Sequence, residues 1–260
     1  MTTVIAALDA SPAARPVLET AIGIGELTGT LVEAIHVQHD TAETPEVLDA
    51  RSEVPLRLLT GPVGPALLAA IAEAGVLVAV LGARATPHGR RPVGLTARHV
   101  LEQTHKPIVV VPPDAVGGPT RPIRRLLVPL EGTGASSRPI LETLFPLLDR
   151  DVELVVLHVF TEHTLPRILD HPIRDMDLLR AEFLARHCPD AASIEMRTGA
   201  VGPRVAEVCG ERGSDLVVLS WSQDSSAGRA AVVREVLGSS AVPVLLLPVA
   251  PADPTGPDRP

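Results

Sequence analysis

The stretch TGPVGP at residues 60–65 occurs again as TGAVGP at residues 198–203. Glycine supplies the turn, and proline is tolerated in the first turn of a helix that follows. Working outward, RPVLET (15–20) returns as RPILET (138–143), and His36-Val37 returns as His158-Val159. KPIVVVPP (106–113) returns as VPVLLLPV (242–249). The order is the same in both halves, and the separations stay between 122 and 138 residues. A repeat longer than about 50 residues is not a solenoid unit; it marks a duplicated domain. The first copy is read as residues 1–113 and the second as 123–249, with a Pro/Gly-rich linker at 114–122. The tail at 250–260 is too polar and Pro-rich to order itself and is expected to be disordered.

Each copy alternates strand-like and helix-like segments. The first half reads as strands at 3–8, 30–37, 54–59, 76–81 and 107–111. Helices are predicted over roughly 12–28, 64–74 and 95–104. The second half reads as strands at 124–130, 152–159, 193–197, 215–219 and 243–248. Its helices are predicted near 137–148, 173–187, 203–212 and 229–239. The runs VLVAVL, PIVVV, LVVLHV and DLVVL are continuously apolar, as in parallel strands buried on both faces. The fold class is therefore α/β: two tandem, doubly wound, five-stranded parallel sheets. The halves differ after the second strand. About 30 residues separate His-Val from SIEMR in the second half, whereas only QHDTAETPEVLDARSE (38–53) fills that place in the first. A helix there is expected to be short or absent.

Composition sets outer limits. The 260 residues are 45% hydrophobic but only 2% aromatic, with no Tyr, so Val, Leu, Ile and Ala must build the core. A net charge of −8 argues against a general nucleic-acid or anionic-membrane surface. Lys106, in HKPIVVV, is the only lysine and enters a strand, a poor place for a Schiff base. Cys188 and Cys209 lack CxxC spacing and read as reduced thiols. The N-terminus has no basic region or apolar run of a signal peptide, and no stretch approaches a membrane span. The expected location is cytoplasmic.

Four features taken together resemble the universal stress protein family. They are a first strand ending in Asp or Glu (IAALDAS, LVPLEGT), a strand ending in His-Val, the TG-x-V-G-P helix start, and a final [KV]P-apolar strand. The resemblance covers roughly 3–113 and 123–248, as a tandem pair. It implies a Rossmann-like fold of the adenine-nucleotide alpha hydrolase kind that binds ATP or another adenine nucleotide, with Mg²⁺ accompanying it. It also implies that the two halves pair about a pseudo-two-fold axis through their last strands, with further homodimerisation open. An unpaired strand as apolar as PIVVV or PVLLL would be prone to aggregate.

The resemblance also assigns residues. Ligands on open α/β sheets sit beyond the strand C-termini at the switch point. In the first half those ends are Ala7-Leu8-Asp9 and Leu81-Gly82. Asp9 takes the place of the aspartate near the adenine, and Val37 that of a backbone contact to the base. The phosphate loop of the family follows G-x2-G-x9-G-[ST]. Gly82 fills its first position and Ala85 replaces the second glycine. The third falls on Gly94, with Leu95 at the hydroxyl position, or one residue later, with Thr96 as the hydroxyl. Arg84, His88, Arg90 and Arg91 add charge that can bind phosphate. In the second half Glu131 replaces Asp9, Val159 matches Val37, and Ser220-Trp221 begin the loop. Asp224 adds a like charge, and Ala230-Ala231 end it. A nucleotide is expected in the first half and not in the second. Trp221 is expected to cap the degenerate pocket or pack between the halves.

Other chemistry finds less support. Walker A and GxSxG motifs are absent, and no metal-ligand pair such as HxxxH has supporting carboxylates. His36 and His158 read as structural, and Ser11 as a cap for a helix starting at Pro12. The reading is a stress-response binding module and not a metabolic enzyme, with an unknown protein partner and no nucleic-acid or membrane partner. Two alternatives stay open: a nucleotide-free interaction scaffold, and a slow ATPase.

Overall fold

The computed structural model describes residues 2–38, 53–83, 93–113, 115, 122–130, 140, 142, 151–161, 172–187, 193–222 and 229–249. The first half runs β1 (Thr3–Ala7), α1 (Ala14–Thr28), β2 (Leu31–Gln38), β3 (Leu56–Thr60) and α2 (Val63–Ala72). β4 (Val76–Gly82), α3 (Leu95–Gln103) and β5 (Ile108–Val111) follow. The second half has β6 (Arg125–Pro129), β7 (Glu153–Phe160), α4 (Pro172–His187), β8 (Ser193–Thr198) and α5 (Val201–Arg212). It ends with β9 (Leu216–Trp221), α6 (Arg229–Ser239) and β10 (Val244–Pro248). Predicted and observed ends differ by a residue or two at most termini, where helices and strands fray. The helix expected near 137–148 is described only at Ile140 and Glu142, both helical. The segment 39–52, where a helix is expected to be short or absent, lies outside the described residues.

The two five-stranded sheets meet through their last strands, as the resemblance implies, and form one sheet. Ten strands run in the order β3-β2-β1-β4-β5-β10-β9-β6-β7-β8. All neighbours are parallel except β5 and β10. There Val110 faces Val244, Val109 faces Leu245 and Ile108 faces Leu246. The pairing removes the sticky edges that PIVVV and PVLLL would otherwise present. It also reverses strand direction, so the C-terminal ends of the two parallel halves point to opposite edges of the sheet.

Helices cover both faces, which is why the strands read as unbroken apolar runs. Along β1, Ile5 belongs to the core on one face, which also takes in residues of α2, α3, α5 and α6. Val4 and Ala6 belong to the core on the other, with α1 residues and, farther along, Ile140. Both cores continue through the central strand pair into the second half. Charge marks the outer strands. Arg57 on β3 bonds Glu33 and Glu73, and Glu195 on β8 pairs with Arg197 and Arg212. Such charged pairs disfavour further strand addition.

The repeated TG-x-V-G-P segment now has a physical explanation. Gly61 and Gly199 adopt φ of +104° and +122°, which side chains rarely tolerate. Gly64 and Gly202 let the helix after the next strand approach. A methyl on Gly64 would stand 2.7 Å from the His99 ring, and one on Gly202 would stand 2.6 Å from Glu235 Cβ. The His99 ring can rotate aside; Glu235 Cβ is fixed to the backbone of α6. Gly202→Ala should therefore destabilise by about 1–3 kcal/mol, and Gly64→Ala by distinctly less. Urea unfolding of both variants checks this, and equal losses would contradict it.

Candidate functional site

A cavity of about 530 Å³ opens beyond the C-terminal edge of the first-half sheet. That size is typical of a small-molecule site. It lies where β1 and β4 adjoin, the point at which strand order reverses. From β1 and its exit come Ala7, Leu8 and Asp9, and from β2 come His36 and Val37. From β4 come Leu81 and Gly82, and from the start of α3 come Gly94, Leu95 and Thr96. These nine expected residues, together with His36, thus share one cavity. Arg84, Ala85 and Arg91, with His88 and Arg90, lie outside the described residues.

Helix faces supply the lining that strand-end motifs did not point to. Ala13, Ala14 and Val17 come from α1 and its approach, and Val63 and Leu67 from α2. Their signal was the apolar side of each helix. Nothing in the sequence said which turn of it reaches the cavity. The walls are accordingly small and apolar, suited to a flat ring. Asp9 is the one carboxylate among the described lining residues, and it is exposed.

Asp9 is held by its own turn. Its Oδ1 accepts the Ser11 N–H at 3.0 Å and the Ser11 hydroxyl at 2.6 Å. The Ser11 hydroxyl oxygen in turn accepts the Ala13 N–H at 3.2 Å. This Asx-type turn occupies residues 9–13, so α1 starts at Ala14 and not at Pro12. Ser11 caps the turn that leads into the helix.

His36 fixes the strand end beneath Asp9. It is only 8% exposed, and its Nδ1 lies 2.9 Å from the Leu8 carbonyl. A carbonyl only accepts, so Nδ1 carries the hydrogen. Leu8 N–H donates to the Ile35 carbonyl at 2.9 Å, which ties both polar groups of Leu8 to β2. The second half repeats this: His158 Nδ1 lies 2.9 Å from the Leu130 carbonyl, and Leu130 N–H donates to Leu157. Both histidines serve as clamps on the strand that leads to the acidic residue.

The far wall is the N-terminus of α3. Gly94 is its N-cap and makes no side-chain cap bond. Gly94 N–H donates to the Ala83 carbonyl at 2.7 Å, tying the helix start to the end of β4. The first-turn N–H groups of a helix lack intrahelical partners and carry a partial positive charge. Leu95, the first helical residue, is 72% exposed, and Thr96 follows within the same turn. Lys106 is structural: its ammonium donates to the carbonyls of Glu73 (2.9 Å) and Val76 (2.6 Å), where α2 turns into β4.

The second half presents a different end. Strand register places Ser220 on Gly82 and Trp221 on Ala83, since Leu81 and Leu219 face matching residues Val110 and Leu246. The His158 ring meets Phe160 edge-on at 4.5 Å and Phe183 at 4.7 Å, and Phe183 contacts His187. Burial, with Arg186 and His158 nearby, pushes His187 below the usual imidazole range. Glu131 and Asp224 lie outside the described residues. Cys209 is buried in the core, and burial, with Asp215 nearby, raises its thiol to about 11, far from a reactive thiolate. Cys188 lies outside the described residues. Among the described residues no cluster of His, Cys, Asp and Glu is arranged to hold a metal, and no helix is long and apolar enough to cross a membrane.

The family model of the universal stress protein family matches residues 122–248. Residues 122–248 therefore carry a universal stress protein domain. The match falls on the half opposite the cavity. No curated protein matches the chain. Among solved structures, a functionally unknown protein from Pseudomonas aeruginosa PAO1 aligns with a TM-score of 0.66 at 9% identity. The alignment covers 95% of this chain and 92% of that one. A universal stress protein from Archaeoglobus fulgidus DSM 4304 aligns with a TM-score of 0.60 at 15% identity, over 96% and 97% of the two chains. At such identities the likeness is one of fold, and it extends over both halves.

The His36 clamp gives a prediction. His36→Phe keeps a ring but leaves the Leu8 carbonyl without its donor, which should cost about 1–3 kcal/mol. Chemical denaturation measures it, and an unchanged midpoint would show that the bond holds nothing.

Proposed function

We propose that the first half binds one adenine nucleotide, ATP or a close relative, in the cavity beyond β1 and β4. The chain then acts as a stress-response regulatory binding module and not as a metabolic enzyme. The observation that carries this reading is the convergence of Asp9, Val37, Gly82 and the α3 N-terminus on one apolar cavity. The apolar walls suit the base, and Asp9 Oδ2 suits a hydroxyl or amino group of the nucleoside. The first-turn N–H groups of α3 suit phosphate oxygens. Asp9 is the only carboxylate among the described lining residues. Mg²⁺ would therefore enter with the phosphates it neutralises and not through a protein cage.

The reading includes a division of labour between a first domain (1–113) and a second (123–249). Ser220 and Trp221 stand where Gly82 and Ala83 leave room in the first half, so the second half is proposed to be empty. The scaffold alternative draws on Leu95, an exposed apolar side chain at the hydroxyl position of the family loop.

Isothermal titration of the full chain with ATP, ADP and AMP tests the reading. Binding with a stoichiometry of one is expected. Asp9→Ala should weaken it by about tenfold or more, the scale of a lost charged hydrogen bond. No heat with any of the three at high protein concentration would leave the scaffold reading in its place. Absence of phosphate release, with and without Mg²⁺, separates binding from slow hydrolysis.

A further inference from the structure

Besides the backbone pairing of β5 and β10, a side-chain hydrogen bond joins the two halves across 120 positions of sequence. The Trp221 indole N–H donates to the Leu101 carbonyl at 3.0 Å. Leu101 lies in the last turn of α3, where carbonyls have no partner within the helix. The neighbouring Val100 carbonyl accepts the Thr104 N–H, so the end of α3 is closed from both sides of the sheet's centre.

The geometry follows from the antiparallel β5–β10 pair. α3 runs back across the sheet from the cavity edge of the first half. Its end therefore arrives at the edge where the second-half strands finish. Trp221 is the last residue of β9 and stands on that edge. α3 has nine residues, so it is a strut of about 13 Å. Its first turn lines the cavity and its last turn is held by the other half.

The pseudo-two-fold axis makes the asymmetry visible. The residue that register matches to Trp221 is Ala83, which has no side-chain donor and is buried. Ala83 therefore cannot make the reciprocal side-chain bond to the end of α6. The single tryptophan of the chain serves one half only, and it serves the half with the cavity.

We infer that Trp221 is a positioning residue for the first-half cavity: it anchors the C-terminal end of α3 so that the N-terminal end presents its N–H groups to phosphate. The second half thus completes the binding site of the first without touching the ligand. This inference rests on the proposed nucleotide reading. It goes beyond it by assigning the degenerate half a function.

The test titrates wild type and Trp221→Phe with ATP and with adenosine. The phenyl ring keeps most of the packing and lacks the donor. ATP should bind about fivefold more weakly to the variant, the scale of one neutral hydrogen bond. Adenosine, which has no phosphate to meet α3, should change less than about twofold. A merely structural residue would weaken both alike, and that outcome overturns the inference, as does equal ATP affinity in the two proteins. Failure of wild type to bind either ligand overturns the nucleotide reading itself and this inference with it. A measurement on wild type needs no variant to fold: the sole indole N–H resonance should be protected from solvent exchange and should move when ATP is added. An unprotected or unmoved resonance overturns the inference.

Discussion

Everything in this molecule depends on the antiparallel meeting of β5 and β10. Three residue pairs, Ile108–Leu246, Val109–Leu245 and Val110–Val244, join two five-stranded sheets into one. All six side chains are buried. Either strand alone would be an apolar, flat edge, the kind that recruits other chains. Paired, they extend both cores without interruption through the centre of the molecule. Neither half keeps a core of its own that stops at the boundary.

The same pairing sets the functional geometry. It sends the strand C-terminal ends of the two halves to opposite edges and makes α3 a link between those edges. Within the first half, the switch between β1 and β4 opens the cavity, and the helices on both faces close it around small apolar residues. His36 holds the strand end on which Asp9 sits, and Asp9 holds the turn that starts α1. The acidic residue is thus aimed by hydrogen bonds that, among the described residues, use one of its two oxygens. In the second half the same histidine clamp persists, yet Ser220 and Trp221 occupy the loop start.

Much of the fold was legible because burial on both faces leaves an unmistakable trace. The strands VLVAVL and LVVLHV cannot be half-exposed, and the repeated RP-[VI]-LET and TG-x-V-G-P segments give their order twice. The strand-end residues of the cavity were legible too, because the switch-point rule depends only on strand order. What was not legible depended on contacts between distant segments. No spacing in the sequence connects Trp221 to Leu101, since that bond exists only after the central strands have paired. The tie between His36 and Leu8 needs the register of β1 on β2. The contribution of Val17 and Leu67 needs the rotation of each helix about its axis, which an apolar stripe leaves loose by a turn.

The central claim is one nucleotide per chain, held by the first half with the second half empty. Native mass spectrometry of the full chain with saturating ATP measures that number directly. The account predicts a single bound nucleotide per chain. None bound, or two bound, would contradict it.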